Sequence, residues 1–432
     1  MKLLKFFLAL GILLNFSNSN AQQKETSNQS ILNKKQSITL TYAQQDVIHS
    51  KILNEDKSIN IFLPEGFHKS SERHTYPVLM LLENEFFHMV SGVVKHLSSV
   101  ERMPETIVVS LTDGAHIPKL YTNGSDFWPK DWKQLPFGGN PDPFTAYLKE
   151  ELFLYLKENY RANDFRMVLG LSTTSIYPLH AFAKETDLFD VYIGIASGDI
   201  LGMGYKDGES FIDVFISQFE KDKSPYNNKY LYLTSSDSDD RNGSHKIKDN
   251  LESLEKRLSS YRSPNFKFIS KTFPNEGHYD LALPALHEAL NMVFPNERWS
   301  AKYRDIIEKP GTAMENLDNH FQKSSTEYGF KILPRAERWN SVNRLSWIGP
   351  NLLKQGNAAE AIEVIERWVE YSPKSTLALN ELAKAYEANK QFDKAISALE
   401  KIYKISSNLD ELEWNEYQTL INQWREKVNK QN

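Results

Sequence analysis

Short apolar runs alternate with longer amphipathic segments between about residue 38 and residue 296. Runs such as "VLMLL" and "IVVSL" are almost continuously apolar, which is typical of interior strands in a mostly parallel sheet that helices cover on both faces. We therefore predict an α/β domain over residues 38–296. Its predicted strands are Ser58–Pro64, Tyr76–Glu83, Thr106–Leu111, Phe165–Leu171, Val191–Ser197, Lys229–Thr234 and Phe266–Phe273.

The segment Pro143–Tyr160 between two of these strands has the spacing of an amphipathic helix. Its apolar stripe consists of Phe144, Leu148, Leu152 and Leu156. Residues three or four apart share one face of a helix, so this stripe predicts a helix that packs against the sheet.

The chain is helical in pattern after about residue 297. "GNAAEAIEVIERW" from Gly356 is repeated as "KQFDKAISALEKI" from Lys390, an offset of 34 residues. This offset is the tetratricopeptide period, so we predict a helical linker over 297–340 and a tetratricopeptide-like all-α domain over 341–432. Such repeats indicate a possible peptide or protein partner, although two amphipathic hairpins could also be similar by coincidence.

The first 21 residues have the pattern of a cleaved export signal. Two lysines, Lys2 and Lys5, are joined to an apolar run from Leu3 to Phe16, and Ser19-Asn20-Ala21 supplies small residues at a cleavage position. We expect a signal peptide over 1–21 and a flexible polar leader over 22–37. The expected location is periplasmic or extracellular, with no membrane span in the mature chain; a retained anchor is the alternative.

The net charge, the cysteine content and the histidine spacing of the chain argue against several classes of function. The net charge of −5 gives no reason to expect a nucleic-acid partner. The chain contains no cysteine, which excludes disulfides and thiol catalysis. No histidine pair has the spacing of a zinc site, so we expect neither a metal nor another cofactor.

The stretch "MVLGLSTTS" contains the first candidate for chemistry. A predicted strand runs into Gly170-Leu171-Ser172, and a helical pattern follows. Strand, sharp turn and helix with serine at the turn is the arrangement of a nucleophile elbow, which usually reads Gly-x-Ser-x-Gly. Here Thr174 occupies the second glycine position. Ser172 is therefore a candidate nucleophile, with helix capping as the structural alternative.

Two later loops supply candidate partners for this serine. "SSDSDD" follows the strand Lys229–Thr234 and carries three aspartates, and "PNEGHYD" follows the strand Phe266–Phe273 and carries His278. A serine nucleophile needs a histidine base and an acid that orients the base, in the chain order Ser, Asp, His. His278 is the histidine in the required position, whereas the acidic loop leaves the choice of aspartate open.

Residues 45–295 resemble the putative esterase family of the α/β-hydrolase superfamily, which includes enterochelin esterases and esterase D. The similar segments, in chain order, are "FLPEGF", "YPVLMLLENEFFHMVSGVVKHLSSVERMPETIVVSL", "GGNPDPFTAYLKEELFLYLKENYRANDFRMVLGLS" and "PLHAFAKETDLFDVYIGIAS". The resemblance implies an α/β-hydrolase fold and a secreted serine carboxylic-ester hydrolase.

Residue by residue, the resemblance implies Ser172 as nucleophile and His278 as general base and acid. It favours Asp239 as the acid that orients His278, with Asp237 as the alternative. The backbone amides of Thr173 and Glu85 would form the oxyanion hole. The order of events would be attack by Ser172 on an ester carbonyl, an acyl-enzyme, and hydrolysis by water.

The chain departs from the family pattern at several positions. Thr174 and Asn84 replace glycines of the elbow and the oxyanion loop, and "TDGAHIPKLYT" lacks the family's arginines. Pro178 falls in the helix after the elbow, where it should kink the helix or shift its start.

These departures fit an active enzyme with altered specificity or a degenerate site. The alternatives are thus a scaffold that acts through the repeats, or an acyltransferase. The expected substrate is a small-molecule or carbohydrate ester; siderophore lactone, acetyl, feruloyl and lipid-like esters are all compatible.

Overall fold

The mostly parallel sheet predicted from the apolar runs is the centre of the fold. The structure is a computed structural model and describes residues 41–112, 141–203, 210–240, 247–296, 303–337, 344–406 and 411–431. Its described strands are β1 Gln44–Ser50, β2 Glu55–Phe62, β3 Tyr76–Leu81, β4 Ile107–Leu111, β5 Ala162–Leu171, β6 Val191–Ile195, β7 Lys229–Ser236 and β8 Phe266–Phe273. Every predicted run forms a strand, and β1 is an additional strand that the pattern analysis missed.

The described strands form one eight-stranded sheet in the order β1-β2-β4-β3-β5-β6-β7-β8. In this spatial order, each pair of neighbouring strands from β4 to the β8 edge is parallel. At the other edge, β1 pairs antiparallel with β2, and β2 pairs antiparallel with β4. The carboxyl ends of β3, β5, β6, β7 and β8 therefore meet along the same edge of the sheet. Loops that leave this edge carry ligand and reaction groups in open parallel sheets.

Helices cover both faces of this sheet. The described helices of the domain are α1 Phe87–Ser99, α2 Asp142–Tyr147, α3 Phe153–Tyr160, α4 Ile176–Lys184, α5 Gly198–Met203, α6 Phe211–Lys221, α7 Ile247–Leu258 and α8 Ala282–Val293. Alternate strand residues point to opposite faces. In β3, for example, Val78 and Met80 belong to the core under α2 to α4, α6 and α7, while Leu79 and Leu81 belong to the core under α1 and α8.

The predicted helix Pro143–Tyr160 is confirmed with one irregularity. A π-helical turn, Leu148–Leu152, joins α2 to α3. The four stripe residues are all buried. Within the π-helical turn, the Glu151 carboxylate accepts hydrogen bonds from the backbone amides of Lys51 and Ile52 and from the Ser50 hydroxyl, and so ties this turn to the β1–β2 connection.

The C-terminal part is all helical, as predicted. Its described helices are α9 Tyr303–Ile307, α10 Ala313–Tyr328, α11 Leu345–Lys354, α12 Ala358–Tyr371, α13 Thr376–Ala388, α14 Phe392–Ile405 and α15 Glu411–Gln431. The repeated segments fall on α12 and α14, which begin 34 residues apart. Equivalent residues of the two helices, such as Ala361 and Ala395, are buried in one apolar core. None of the described helices combines the length and apolarity that crossing a bilayer requires.

The segment predicted as a linker packs on both parts of the chain. Ile306 and Leu317 contribute to the core of the repeats. Tyr328 packs in the sheet domain, 5.3 Å from Phe294 between ring centroids, and its hydroxyl donates a hydrogen bond to the Val293 carbonyl. Residues 43–432 accordingly form one compact unit. The predicted boundaries at 38, 296 and 341 remain predictions.

Candidate active site

Ser172 lies at the end of β5, in the centre of the sheet. It opens a 3₁₀ turn, Ser172–Ser175, that leads into α4. Its φ angle is +52°, in the left-handed region that non-glycine residues rarely occupy. Such strain is typical of a nucleophile elbow, where the tight turn lifts the serine hydroxyl above the strand ends.

Gly170 and Thr174 explain how the elbow closes without its second glycine. A Cβ atom on Gly170 would lie 2.5 Å from the Thr174 carbonyl oxygen, so the first glycine is sterically required. Thr174 is buried, and its hydroxyl both accepts a hydrogen bond from the Leu171 amide and donates one to the Leu171 carbonyl, each at 2.9 Å. The substituted position thus stabilises the turn instead of obstructing it.

The start of the helix after the elbow also accommodates Pro178. The α-helical part begins only at Ile176, so Pro178 lies in its first turn, where the amide it lacks would have no partner within the helix. The expected shift of the helix start is therefore observed. The Ser175 hydroxyl donates to the Ile195 carbonyl at 3.0 Å and fixes the elbow against β6.

His278 lies between the end of β8 and α8 and bridges two of the predicted site residues. Its Nδ1 is 2.8 Å from Asp239 Oδ1, and its Nε2 is 2.9 Å from Ser172 Oγ. A carboxylate can only accept, so Nδ1–H donates to Asp239, and Nε2 is left to accept the Ser172 hydroxyl proton. This is the geometry of a Ser-His-Asp triad.

The two candidate aspartates have different partners. Asp239 contacts His278, and its Oδ2 accepts from the Ser236 amide at 3.3 Å. Both oxygens of Asp237 accept from the Asn275 amide at 3.1 Å, three residues before His278. Asp237 therefore holds the backbone of the loop that carries His278, and Asp239 alone of the two contacts the imidazole.

The contact between His278 and Asp239 shifts their two pKa values in opposite directions. The hydrogen bond to Asp239 raises the pKa of His278 above its ordinary value; burial opposes this increase, and the charges of Asp239 and Asp199 reinforce it. Burial alone would raise the pKa of Asp239, but its hydrogen bonds to His278 and Ser236 outweigh burial and keep that pKa lowered. Asp239 is therefore ionised when it orients His278.

The predicted oxyanion groups lie in turns after neighbouring strands. Glu85 belongs to a 3₁₀ turn, Asn84–Phe86, shortly after β3, and Thr173 follows Ser172 after β5. The Leu82 amide donates to the Leu169 carbonyl at 3.0 Å, which holds the two strand ends together. Both turns thus lie at the same edge of the sheet.

Asn84 anchors the first of these turns through its side chain. Asn84 Oδ1 accepts from Asn60 Nδ2 at 2.9 Å and from the Ser110 hydroxyl at 2.8 Å. The residue that replaces the family glycine therefore ties the turn to β2 and β4. Burial, together with a hydrogen bond and repulsion from Glu85, raises the pKa of Glu83, which immediately precedes this turn, to about 7.

Three residues near the site were missed by sequence reasoning. Asp199 follows β6 at the same sheet edge and acts electrostatically on His278. Phe86 and the exposed Tyr279 are neighbours at 5.6 Å between ring centroids, adjacent in sequence to Glu85 and His278. Sequence position next to a predicted site residue was the only available signal for the two aromatic residues.

Two segments used in the comparison with the family pattern lie outside the described residues, namely Gly138–Gly139 and most of the arginine-free loop "TDGAHIPKLYT". Over the described ranges, no group of three or more acidic, histidine or cysteine side chains could hold a metal ion.

The fold and the elbow are those of an α/β-hydrolase. Residues 50–248 match the model of the putative esterase family, and residues 352–408 match that of a tetratricopeptide repeat. The chain thus contains a segment that matches the esterase-family model, followed by a segment that matches a tetratricopeptide repeat. The family supports esterase activity and the repeat suggests a protein interaction. No curated protein matches the chain.

The chain is similar to several solved structures at low sequence identity. An IroE-like serine hydrolase from Shewanella oneidensis is 17% identical with a TM-score of 0.58, over 76% of this chain and 98% of that one. An uncharacterised protein from Capnocytophaga ochracea is 17% identical with a TM-score of 0.48, over 89% of this chain and 99% of that one. The siderophore hydrolase EstA from Aspergillus nidulans is 17% identical with a TM-score of 0.48, over 60% and 97%.

Proposed function

We propose that this protein is an exported serine esterase that hydrolyses a carboxylic ester through an acyl-enzyme. The observation that carries the proposal is the pair of hydrogen bonds made by His278, one to Asp239 at 2.8 Å and one to Ser172 at 2.9 Å. The strained backbone at Ser172 and the esterase-family match over residues 50–248 support the same conclusion.

In the first half of the proposed reaction, Ser172 Oγ attacks the ester carbonyl carbon while His278 Nε2 takes the hydroxyl proton. The carbonyl oxygen becomes an oxyanion, which accepts hydrogen bonds from the backbone amides of Thr173 and Glu85. Collapse of this intermediate breaks the bond to the alcohol oxygen. His278 returns its proton to that oxygen, the alcohol leaves, and Ser172 remains acylated.

In the second half, a water molecule takes the place of the alcohol. His278 accepts a proton from the water as it attacks the acyl carbon, and later gives that proton back to Ser172 as the carboxylic acid leaves. The ionised Asp239 stabilises the imidazolium that forms in both halves and keeps Nδ1 protonated. The substrate class is a small-molecule or carbohydrate ester.

Labelling with a fluorophosphonate probe tests the nucleophile. The purified mature protein is treated with the probe, and mass spectrometry locates the modified peptide; Ser172→Ala is the control. Modification at Ser172, absent in the variant, is the expected result. A folded protein without labelling would refute the esterase proposal and favour a scaffold that acts through the repeats.

Turnover of a small aryl ester with and without an added acceptor alcohol separates hydrolysis from acyl transfer. A hydrolase releases the free acid as its main product in both cases. If most of the acyl group appears on the added alcohol at low concentration, the protein is an acyltransferase with the same nucleophile.

Export is the remaining element of the proposal and rests on the signal-like pattern of residues 1–21. Expression of the full chain in a bacterial host, followed by N-terminal sequencing of the exported fraction, should give a chain that starts at Gln22. Accumulation of uncleaved protein in the cytoplasm would contradict export.

A further inference from the structure

An open groove of about 690 Å³ lies between α1 and α8, the two helices that cover the same face of the sheet. α1 begins directly after the turn Asn84–Phe86, which carries the predicted oxyanion group, and α8 begins shortly after the loop that carries His278. Both helices therefore start at the sheet edge where the candidate active site lies, and both run away from it. We call the space between them the helix groove.

The near end of the helix groove is connected to the candidate active site through two aromatic side chains. Of the residues that line the groove, Glu276 lies two positions before His278, and His88 lies two positions after Phe86. The rings of Phe86 and Tyr279 are neighbours at 5.6 Å between centroids. The Tyr279 ring also lies edge-on to the His278 imidazole at 4.6 Å. These rings form an apolar path from the imidazole to the groove.

The lining of the helix groove is mainly apolar. Met89, Val93 and Leu97 follow one another at four-residue spacing and so form a row along α1. Leu283, which is 52% exposed, and Pro284 contribute the wall from α8. The polar lining residues are Glu276 and three exposed histidines, His88, His96 and His287. Such a surface favours an apolar ligand, because covering it removes apolar area from water.

Gly92 keeps the middle of the helix groove open. Glycine is an unfavourable residue in the interior of a helix, and Gly92 lies near the centre of α1. A Cβ atom at this position would have no atom of the described residues within 4 Å, and the φ angle is not in the left-handed region. Neither close packing nor backbone conformation therefore requires a glycine here. The lack of a side chain instead leaves space for an occupant of the groove.

We propose that the helix groove binds an unbranched aliphatic chain of the ester substrate, an inference that rests on the proposed esterase function and narrows the substrate to lipid-like esters. From His88 to His96 the groove follows about 12 Å of helix, at about 1.5 Å per residue. An extended chain of about eight to ten carbons has this length, since its bonds are about 1.5 Å long and zigzag. With the ester carbonyl at Ser172, the chain passes Phe86 and Tyr279 and lies along α1.

Hydrolysis rates across two chain-length series test this proposal. The 4-nitrophenyl esters from acetate to decanoate vary the acyl chain, and the alkyl acetates from ethyl to decyl acetate vary the alcohol. In an open groove each methylene is partly buried, so kcat/KM should rise roughly twofold per methylene, about half of the free-energy effect of full burial. A rise in the first series assigns the acyl chain to the groove, and a rise in the second assigns the alcohol. Flat profiles in both series contradict the proposal.

Variants at Gly92 locate the chain in the groove. Gly92→Leu fills the open space, so the ratio of kcat/KM for the eight-carbon ester to that for the two-carbon ester should fall by roughly tenfold or more. Gly92→Ala is the matched control, because it also removes the glycine but adds only one methyl group; the ratio should stay within about twofold. If Gly92→Leu fails to fold by circular dichroism, Leu283→Asn at an exposed position replaces it and should lower the ratio severalfold. An unchanged ratio in the variant that folds overturns the proposal.

Isothermal titration with octan-1-ol separates the helix groove from the reaction at Ser172. We expect octan-1-ol to bind both the original chain and Ser172→Ala, and to bind Gly92→Leu roughly tenfold more weakly; ethanol, which lacks the chain, should not bind. Absence of octan-1-ol binding would refute the groove even if short esters are hydrolysed. Binding without hydrolysis of any ester would refute the esterase function and keep the groove as a site for an aliphatic chain.

A second copy of the chain is the competing occupant of this apolar surface. Analytical ultracentrifugation of the original chain and of Gly92→Leu distinguishes the two cases. A dimer that the substitution converts to a monomer would make the groove a subunit contact and the proposal wrong. A monomer in both cases leaves the groove open to the substrate, as proposed.

Discussion

The hydroxyl of Thr174 exchanges two hydrogen bonds with the backbone of Leu171, one to the amide and one to the carbonyl, each at 2.9 Å. Leu171 precedes Ser172 and Thr174 follows it, so both bonds join the two sides of the elbow across the serine. A residue that departs from the family pattern is thus the residue that closes the turn. The serine need not lose its strained geometry when the second glycine is absent.

Thr174→Val should loosen the elbow, because valine has a similar shape but no hydroxyl. The buried Leu171 amide would lose its partner, and we expect a loss of about 1–3 kcal/mol in the free energy of unfolding. Aryl-ester hydrolysis should fall along with it. Thr174→Ser keeps the hydroxyl and is the control. Urea unfolding and initial rates are the measurements; equal stability of the valine and serine variants would contradict this role.

Gly170→Ala should be far more damaging than a typical glycine substitution. The added methyl group would lie 2.5 Å from the Thr174 carbonyl oxygen, a backbone atom that cannot move without opening the elbow. We expect a loss of about 1–3 kcal/mol or more in unfolding free energy. Gly92→Ala, in the middle of α1, has nothing within 4 Å of its new methyl group and should be neutral or stabilising. Thermal melts of both variants test the contrast.

Asp239→Asn should slow ester hydrolysis by a factor on the order of 10⁴, because asparagine can donate to Nδ1 and favour the wrong histidine tautomer. Asp237→Asn removes only the negative charge from the contact with the Asn275 amide. It weakens a single hydrogen bond, so we expect kcat/KM to fall by less than about tenfold. Comparison of kcat/KM for the two variants decides between the aspartates. The larger loss in Asp237→Asn would show that Asp239 was assigned wrongly.

The sequence was sufficient for seven of the eight described strands and for the order of the candidate residues. Apolar runs such as Val78–Leu81 are long enough to identify interior strands, and loops at their carboxyl ends necessarily share one edge. Ser172 and His278 followed from that rule. β1 was missed because its alternating pattern, with Val47 exposed, lacks the continuous apolar run used as the signal.

Sequence reasoning from the residues alone could not decide between the aspartates. Asp237 and Asp239 are two residues apart in a polar loop, and composition does not distinguish a carboxylate that contacts His278 from one that contacts the Asn275 amide. The choice of Asp239 came from family resemblance; in the structure Asp239 contacts His278 and Asp237 contacts the Asn275 amide.

The structural effects of Thr174 and Asn84 could not be predicted from the sequence pattern either. Each replaces a glycine of the family pattern, so the sequence alone suggests that its side chain would clash with neighbouring backbone. In the structure each side chain instead makes two hydrogen bonds that hold a turn in place. Such contacts depend on distant partners, for example Asn60 and Ser110 for Asn84, and no local spacing rule identifies them.

The pH dependence of hydrolysis should report the electrostatic surroundings of His278. Because Nε2 must be unprotonated to accept the Ser172 proton, kcat/KM should fall as the pH drops through the pKa of His278, which the hydrogen bond to Asp239 raises above the ordinary 6.5. Asp199 contributes to this increase through its charge. Asp199→Asn keeps the shape and removes the charge, so the acid limb of the profile should move to lower pH with little change in the plateau rate. The control is Glu276→Gln, which removes a half-buried carboxylate from the loop that carries His278 but one that is not among the causes of the raised pKa of His278. An acid limb that stays in place in Asp199→Asn would mean that this carboxylate does not act on the base.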